Sequence, residues 1–189
     1  MSLKLVRWGG VGAIVAGVAY AALPVVIYAE LSIVLPELVY VIVAQVGTVV
    51  GIAGLHALQK GRYGPREGLA SFAYLAAFTG TALILVSAAA LALVGQSAGQ
   101  TAFLIALNVS FVGFLAALAG LMLLGAATLQ ARVLPRWCGV LLIVGIPVSL
   151  VPLIVDGNPV GLILLGTIWV LVGYALLRAG RHRSSSPRA

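Results

Sequence analysis

The pentapeptide Gly95-Gln96-Ser97-Ala98-Gly99 spells G-x-S-x-G, the tight turn on which many hydrolases expose a nucleophilic serine. Such a serine needs a base within hydrogen-bond reach. The chain has only two histidines, His56 and His182, and three carboxylates, Glu30, Glu37 and Asp156, sit beside apolar runs. Other chemistries make comparable demands. A Schiff-base chromophore needs an interior lysine, a bis-histidine haem needs two histidines at one depth, and a metal site needs clustered His, Cys, Asp or Glu. Which of these groups can meet depends on the elements that carry them.

Those elements are apolar to an unusual degree. Of 189 residues 62% are hydrophobic and 8% charged, with a mean hydropathy of +1.19, beyond the range of water-soluble domains. Six apolar runs cover residues 8–29, 38–59, 69–94, 101–124, 137–155 and 160–178. A helix of about 20 residues crosses a hydrocarbon layer of about 30 Å. The sequence therefore predicts an all-α fold, a single domain of six transmembrane helices over residues 1–180. A disordered basic tail is expected at 181–189, where a Ser-Ser-Ser-Pro run ends the chain.

A net charge of +7 and a pI near 10.2 would also suit a nucleic-acid binder, but the distribution of charge argues otherwise. With the amino terminus in the cytoplasm, six crossings place all eleven Lys and Arg on the cytoplasmic side, leaving Glu30, Glu37 and Asp156 outside. The positive-inside bias accounts for the whole pattern, and no nucleic-acid partner is expected. Both termini are then cytoplasmic. Two Lys against nine Arg, with abundant Ala and Gly, fit a bacterial plasma membrane. The first run is not a signal peptide, because it continues through Ile27 and its pattern returns at Leu134 to Val144. Lys60, Arg62, Arg66, Arg178, Arg181 and Arg183 are expected to meet anionic lipid headgroups.

This threading removes most of the chemistry. His56 falls at the cytoplasmic end of the second run, about a membrane thickness from Ser97, and His182 and both lysines are cytoplasmic as well. Rhomboid proteases also place a serine near the start of their fourth helix, but the histidine they require on the sixth is absent from 160–178. No catalytic residue, cofactor or metal site is expected, and Gly95–Gly99 reads as a turn. Cys138 is the only cysteine, so no internal disulfide can form.

The polar residues within the runs say more. Tyr20, Gln45, Ser87, Asn108, Ser149 and Thr167, one per helix, lie seven to ten residues from Glu30, Pro36, Gly95, Gln100, Asp156 and Pro159, which bound the outer ends of their runs. At about 1.5 Å per residue they form a layer about 10 to 15 Å deep, and such groups should face inward. One reading is hydrogen-bond glue between helices, helped by Gly47-x-x-x-Gly51 and Ala116-x-x-x-Gly120. The other is an outward-opening pocket, with Pro24, Pro147 and Pro152 bending its walls and Glu30, Glu37 and Asp156 at its rim.

Two patterns recur along the chain. Leu5-Val6-Arg7-Trp8-Gly9-Gly10-Val11 parallels Leu134-Pro135-Arg136-Trp137-Cys138-Gly139-Val140, and Gly54–Gln59, Gly125–Gln130 and Gly173–Arg178 share G-x-x-x-L followed by Gln or Arg. Three helical-hairpin repeats would produce both, as would the interfacial preference for Arg and Trp. From Leu129 to Trp137, through the Leu-Pro-Arg-Trp turn, and again from Gly54 to Gly64, the chain resembles a broad group of multi-pass bacterial membrane proteins without an assigned activity. That resemblance implies the six-helix layout and no catalytic residues.

The expected function is non-enzymatic binding or transport of a small lipophilic or cationic molecule. The alternatives are an accessory subunit, docking on a membrane-protein partner or on itself, and an intramembrane lipid-modifying enzyme using Glu30, Glu37 or Asp156. A reporter fused after Ala189 should be cytoplasmic, and cysteines at Arg62 and Asp156 should label from opposite sides; labelling from one side would refute the threading.

Overall fold

The computed structural model describes residues 3–28, 34–60, 67–94, 99–156 and 158–184. It is all-helical there, with α1 Leu3–Tyr28, α2 Val34–Gln59, α3 Glu67–Val94, α4 Gly99–Ala131, α5 Arg136–Asp156 and α6 Val160–Ser184. All six are long and apolar enough to cross a membrane. The helices outrun the apolar stretches at their basic ends. α4 continues to Ala131, and α6 runs through Arg181 to Ser184, so four residues expected to be disordered are helical. Basic side chains at a helix carboxyl end complement its dipole, which favours such an extension. Residues 185–189, the rest of the expected tail, lie outside the described residues.

Neighbouring helices run antiparallel and close a ring, each touching the helices before and after it, with α6 against α1. One end of the ring carries Lys4, Arg7, Lys60, Arg132, Arg136, Arg178 and Arg181; the far end carries Asp156. Local signals set the turns. Asn158 Oδ1 accepts the Val160 amide at 3.0 Å and Pro159 follows it, a capping residue and then a proline whose missing N–H costs nothing at that position. Arg132, at φ 50°, ends α4 in the left-handed region.

Small residues decide how close the helices come. α1 offers two such faces: Gly9, Gly12 and Ala16 meet Gly54, Val50 and Gly47 of α2, while Gly10 and Gly17 meet Gly173 and Gly166 of α6. α3 and α4 close in the same way, Gly80 on Gly113 and Ala117, and Ala77 on Gly120. Gly47 and Gly51 thus make the contact their spacing suggested. On α4 the contact runs through Gly113, Ala117 and Gly120, one position away from Ala116. The three G-x-x-x-L glycines all sit at close contacts but with unlike partners: Gly54 on α1, Gly125 on Gly139 of α5, and Gly173 on α1.

The ring is filled at its basic end and hollow at its far end. Leu55, Leu58, Leu124, Leu142, Val172 and Leu176 are fully buried near the basic end. There Gln59 Nε2 donates to Thr128 Oγ1, which donates in turn to Leu124 O at 2.7 Å, tying α2 to α4. α4 stays on α5 only along Arg136–Gly145, and beyond that the two backbones separate. The separation begins just past a π turn of α5, Leu141–Gly145, where Pro147 and Pro152 follow, neither of which can donate to the helix ladder.

A methyl at Gly80 would meet Gly113 O at 2.5 Å, whereas one at Gly68 would meet nothing within 4 Å. Gly80→Ala should therefore destabilise the protein in detergent by about 1–3 kcal/mol. Gly68→Ala should leave its unfolding temperature unchanged or raise it; equal effects of the two would refute the tight α3–α4 contact.

Candidate functional site

The hollow half contains a cavity of about 380 Å³ lined by all six helices. Each wall follows from helical spacing, which returns residues three, four and seven apart to one face. α4 contributes Leu107, Phe111, Phe114, Leu118 and Leu121; α5 contributes Ile146, Leu150 and Leu153; α6 contributes Leu162, Leu165 and Trp169. The opposite wall is more polar, with Tyr20 of α1, Gln45 and Thr48 of α2, and Thr81 of α3. Ser110 of α4 is the other polar lining residue, and no lining residue is ionised at neutral pH.

The hydroxyl groups differ in how they are satisfied. Thr81 Oγ1 donates to Ala77 O at 2.8 Å within its own helix. Thr48 is 3% exposed and its Oγ1 has no hydrogen-bond partner. The Tyr20 phenol lies beside it, within interaction range but outside good hydrogen-bond geometry. A buried hydroxyl left in this state costs about 1–3 kcal/mol. Gln45, 9% exposed, brings an amide to the same wall one turn away.

The expected layer of six polar residues separates into three groups. Tyr20 and Gln45 meet at the cavity. Ser87 and Ser149 are buried but turn back on their own helices, to Leu83 O at 2.8 Å and Ile146 O at 2.7 Å, and line no part of it. Asn108 and Thr167 are exposed on the outside of the bundle, bonded to Leu104 O and Ile163 O, both at 2.8 Å. Inward orientation is thus corrected for Asn108 and Thr167. A bond to the carbonyl one turn back satisfies the polar atom without any neighbouring helix. None of these four makes interhelical glue; Gln59 and Thr128 do.

Of the expected rim, Asp156 is exposed at the far end of α5. Glu30 lies outside the described residues, as do Ser97 and most of its turn, and the side chain of Glu37 is not described. His56 stacks on Tyr74, ring centroids 4.2 Å apart, between α2 and α3. Cys138 is buried in the core. Among the described residues no three His, Cys, Asp or Glu gather as a metal set.

Thr48, Thr81 and Ser110 were not singled out by depth alone. Thr48 lies three residues after Gln45, on the same face, so Gln45 was the signal that could have found it. No family model matches the chain, and no curated protein or solved structure does either.

Thr48→Val keeps the side-chain shape and removes the unpaired hydroxyl. It should stabilise the empty protein by about 1 kcal/mol, measured by thermal unfolding, while Thr81→Val changes little. A loss of stability in Thr48→Val would mean that Tyr20 and Thr48 are hydrogen-bonded.

Proposed function

We propose that this chain is a multi-pass protein of a bacterial plasma membrane, with both termini in the cytoplasm, that binds a small lipophilic molecule in the central cavity without chemically altering it. Three observations support the membrane placement: six helices of spanning length and apolarity, a basic end, and apolar side chains such as Val25, Phe72, Ile105 and Ile154 exposed around the bundle. Lys60, Arg178 and Arg181 then rest against anionic headgroups; Arg62 and Arg66, expected to join them, lie outside the described residues, as does the side chain of Arg183.

The observation that carries the functional reading is the cavity itself. It is apolar on most sides, of a size suited to a small ligand, and has one wall where Tyr20, Gln45 and Thr48 supply hydrogen-bonding atoms. Because no carboxylate lines it among the described residues, a lipophilic molecule is the better-supported choice over a cationic one. Passage across the membrane would need a continuation toward the basic end, where the leucine core is closed, so binding is the better-supported function.

A long-chain neutral alcohol such as oleyl alcohol, titrated into detergent-solubilised protein, should raise the unfolding temperature. At one hundred times its dissociation constant it should add about 2.7 kcal/mol. Gln45→Leu should weaken the response, and Asn108→Leu, altered on the outer face, should leave it intact. No response from the unmodified protein to neutral lipids, together with co-purification of a second chain in mild detergent, would favour an accessory subunit instead.

A further inference from the structure

A ligand of the cavity must enter it by some route and offer some group to the polar wall. α4 and α5 are joined at the basic end by Gly125 and Gly139, and from Ile146 on their backbones stand apart, so that only side chains bridge the gap between them at cavity depth. Two α4 residues that line the cavity also stand open to the outside there, Leu107 at 52% and Phe111 at 60% exposure. Such side chains belong to a mouth. The gap faces sideways, at the level of the apolar middle of the helices. At its inner end, across the cavity, Thr48 stands in the wall with a buried hydroxyl that has the Tyr20 phenol beside it and no hydrogen bond of good geometry.

We infer that the cavity is reached laterally from the bilayer, through the gap between α4 and the second half of α5, and that it takes an uncharged single-chain amphiphile whose hydroxyl or carbonyl group is bound by Thr48 and Gln45. This rests on the pocket reading. An ionised headgroup would have to cross between Leu107, Phe111 and Leu153 and would find no countercharge inside. A purely hydrocarbon ligand would leave the Thr48 hydroxyl unsatisfied. A hydroxyl or carbonyl group satisfies it, since a threonine hydroxyl both donates and accepts.

Trp169, 1% exposed at the cavity wall, provides a built-in reporter. In a Trp8→Phe, Trp137→Phe, Cys138→Ala protein reconstituted into phosphatidylcholine vesicles, Trp169 emission is followed as an ω-bromo long-chain alcohol or the bromoalkane of equal length is added. Saturable quenching is expected with both, the alcohol acting at about five-fold lower concentration, the equivalent of one hydrogen bond. Thr48→Val should abolish that advantage. Leu107→Cys with Leu153→Cys, bridged by a bifunctional thiol reagent, should block quenching by alcohol added afterwards but preserve it for alcohol added before.

The possible failures are distinguishable. Unchanged quenching after bridging would overturn the lateral route and leave the pocket standing. Equal potency of alcohol and alkane would overturn the ligand class. Quenching by aqueous iodide would show a water-filled access path and overturn the bilayer route. No saturable quenching before bridging would sink the pocket itself.

Discussion

The architecture depends on how closely glycine lets two backbones approach. α1 is a double-sided clamp: Gly9 and Gly12 bring α2 against one face, and Gly10 and Gly17 bring α6 against another. Helices that are all equally apolar gain little from burying leucine against leucine when the surroundings are hydrocarbon, so close van der Waals contact decides which pairs associate. Three neighbouring helices, α6, α1 and α2, thereby form a rigid wall. α3 and α4 form a second tight unit through Gly80, Gly113 and Gly120. This second unit meets α5 only toward the basic end, where Gly125 and Gly139 join them.

The same reasoning explains why the cavity lies where it does. Past the π turn and Pro147, α5 lines the cavity with Ile146, Leu150 and Leu153, and α4 lines it with Phe111 and Phe114, side chains that cannot interdigitate as glycines do. The α6–α1–α2 wall supplies Tyr20, Gln45, Thr48 and Trp169, whereas α3, α4 and α5 supply mainly aliphatic and phenylalanine side chains, with Thr81 and Ser110 as the exceptions. Most of the hydrogen-bonding groups are thus gathered on one side of the cavity, and a polar patch opposite an apolar wall suits a ligand defined by one polar atom and a variable chain.

The sequence revealed the number of helices and their approximate limits, because runs of 20 apolar residues are a strong signal. The inward faces were much less legible. α4 is apolar all round, so the usual amphipathic stripe that separates inside from outside is missing, and Asn108 could be placed at a depth but not on a side. The small-residue stripe carries that information instead. Gly113, Ala117 and Gly120 mark the side of α4 that meets α3, and Asn108, five residues before Gly113, is well off that line at about 100° per residue. Thr167 adjoins Gly166, which faces α1, yet Leu165, Ile168 and Trp169 are the buried residues around it. Thr48 was legible through Gln45, one turn earlier. What no pattern gave was the π turn, whose i to i+5 bonding has no composition signal beyond the proline that follows it.

For a ligand drawn from a bilayer, the energetic balance differs from that of a pocket filled from water. Moving a hydrocarbon chain from lipid to a leucine-lined cavity exchanges one apolar surrounding for another, so the usual gain of about 25 cal/mol per Å² is largely absent. The gain must come from what lipid does not offer. A hydroxyl or carbonyl group that sinks to mid-bilayer loses its water and finds no partner, and at Thr48 and Gln45 it would regain one. The protein would in turn lose the cost of its own unsatisfied Thr48 hydroxyl. Both sides of the encounter then improve through the same bond, which makes that side chain, rather than the area of the apolar wall, the natural origin of selectivity among molecules that all dissolve in the membrane.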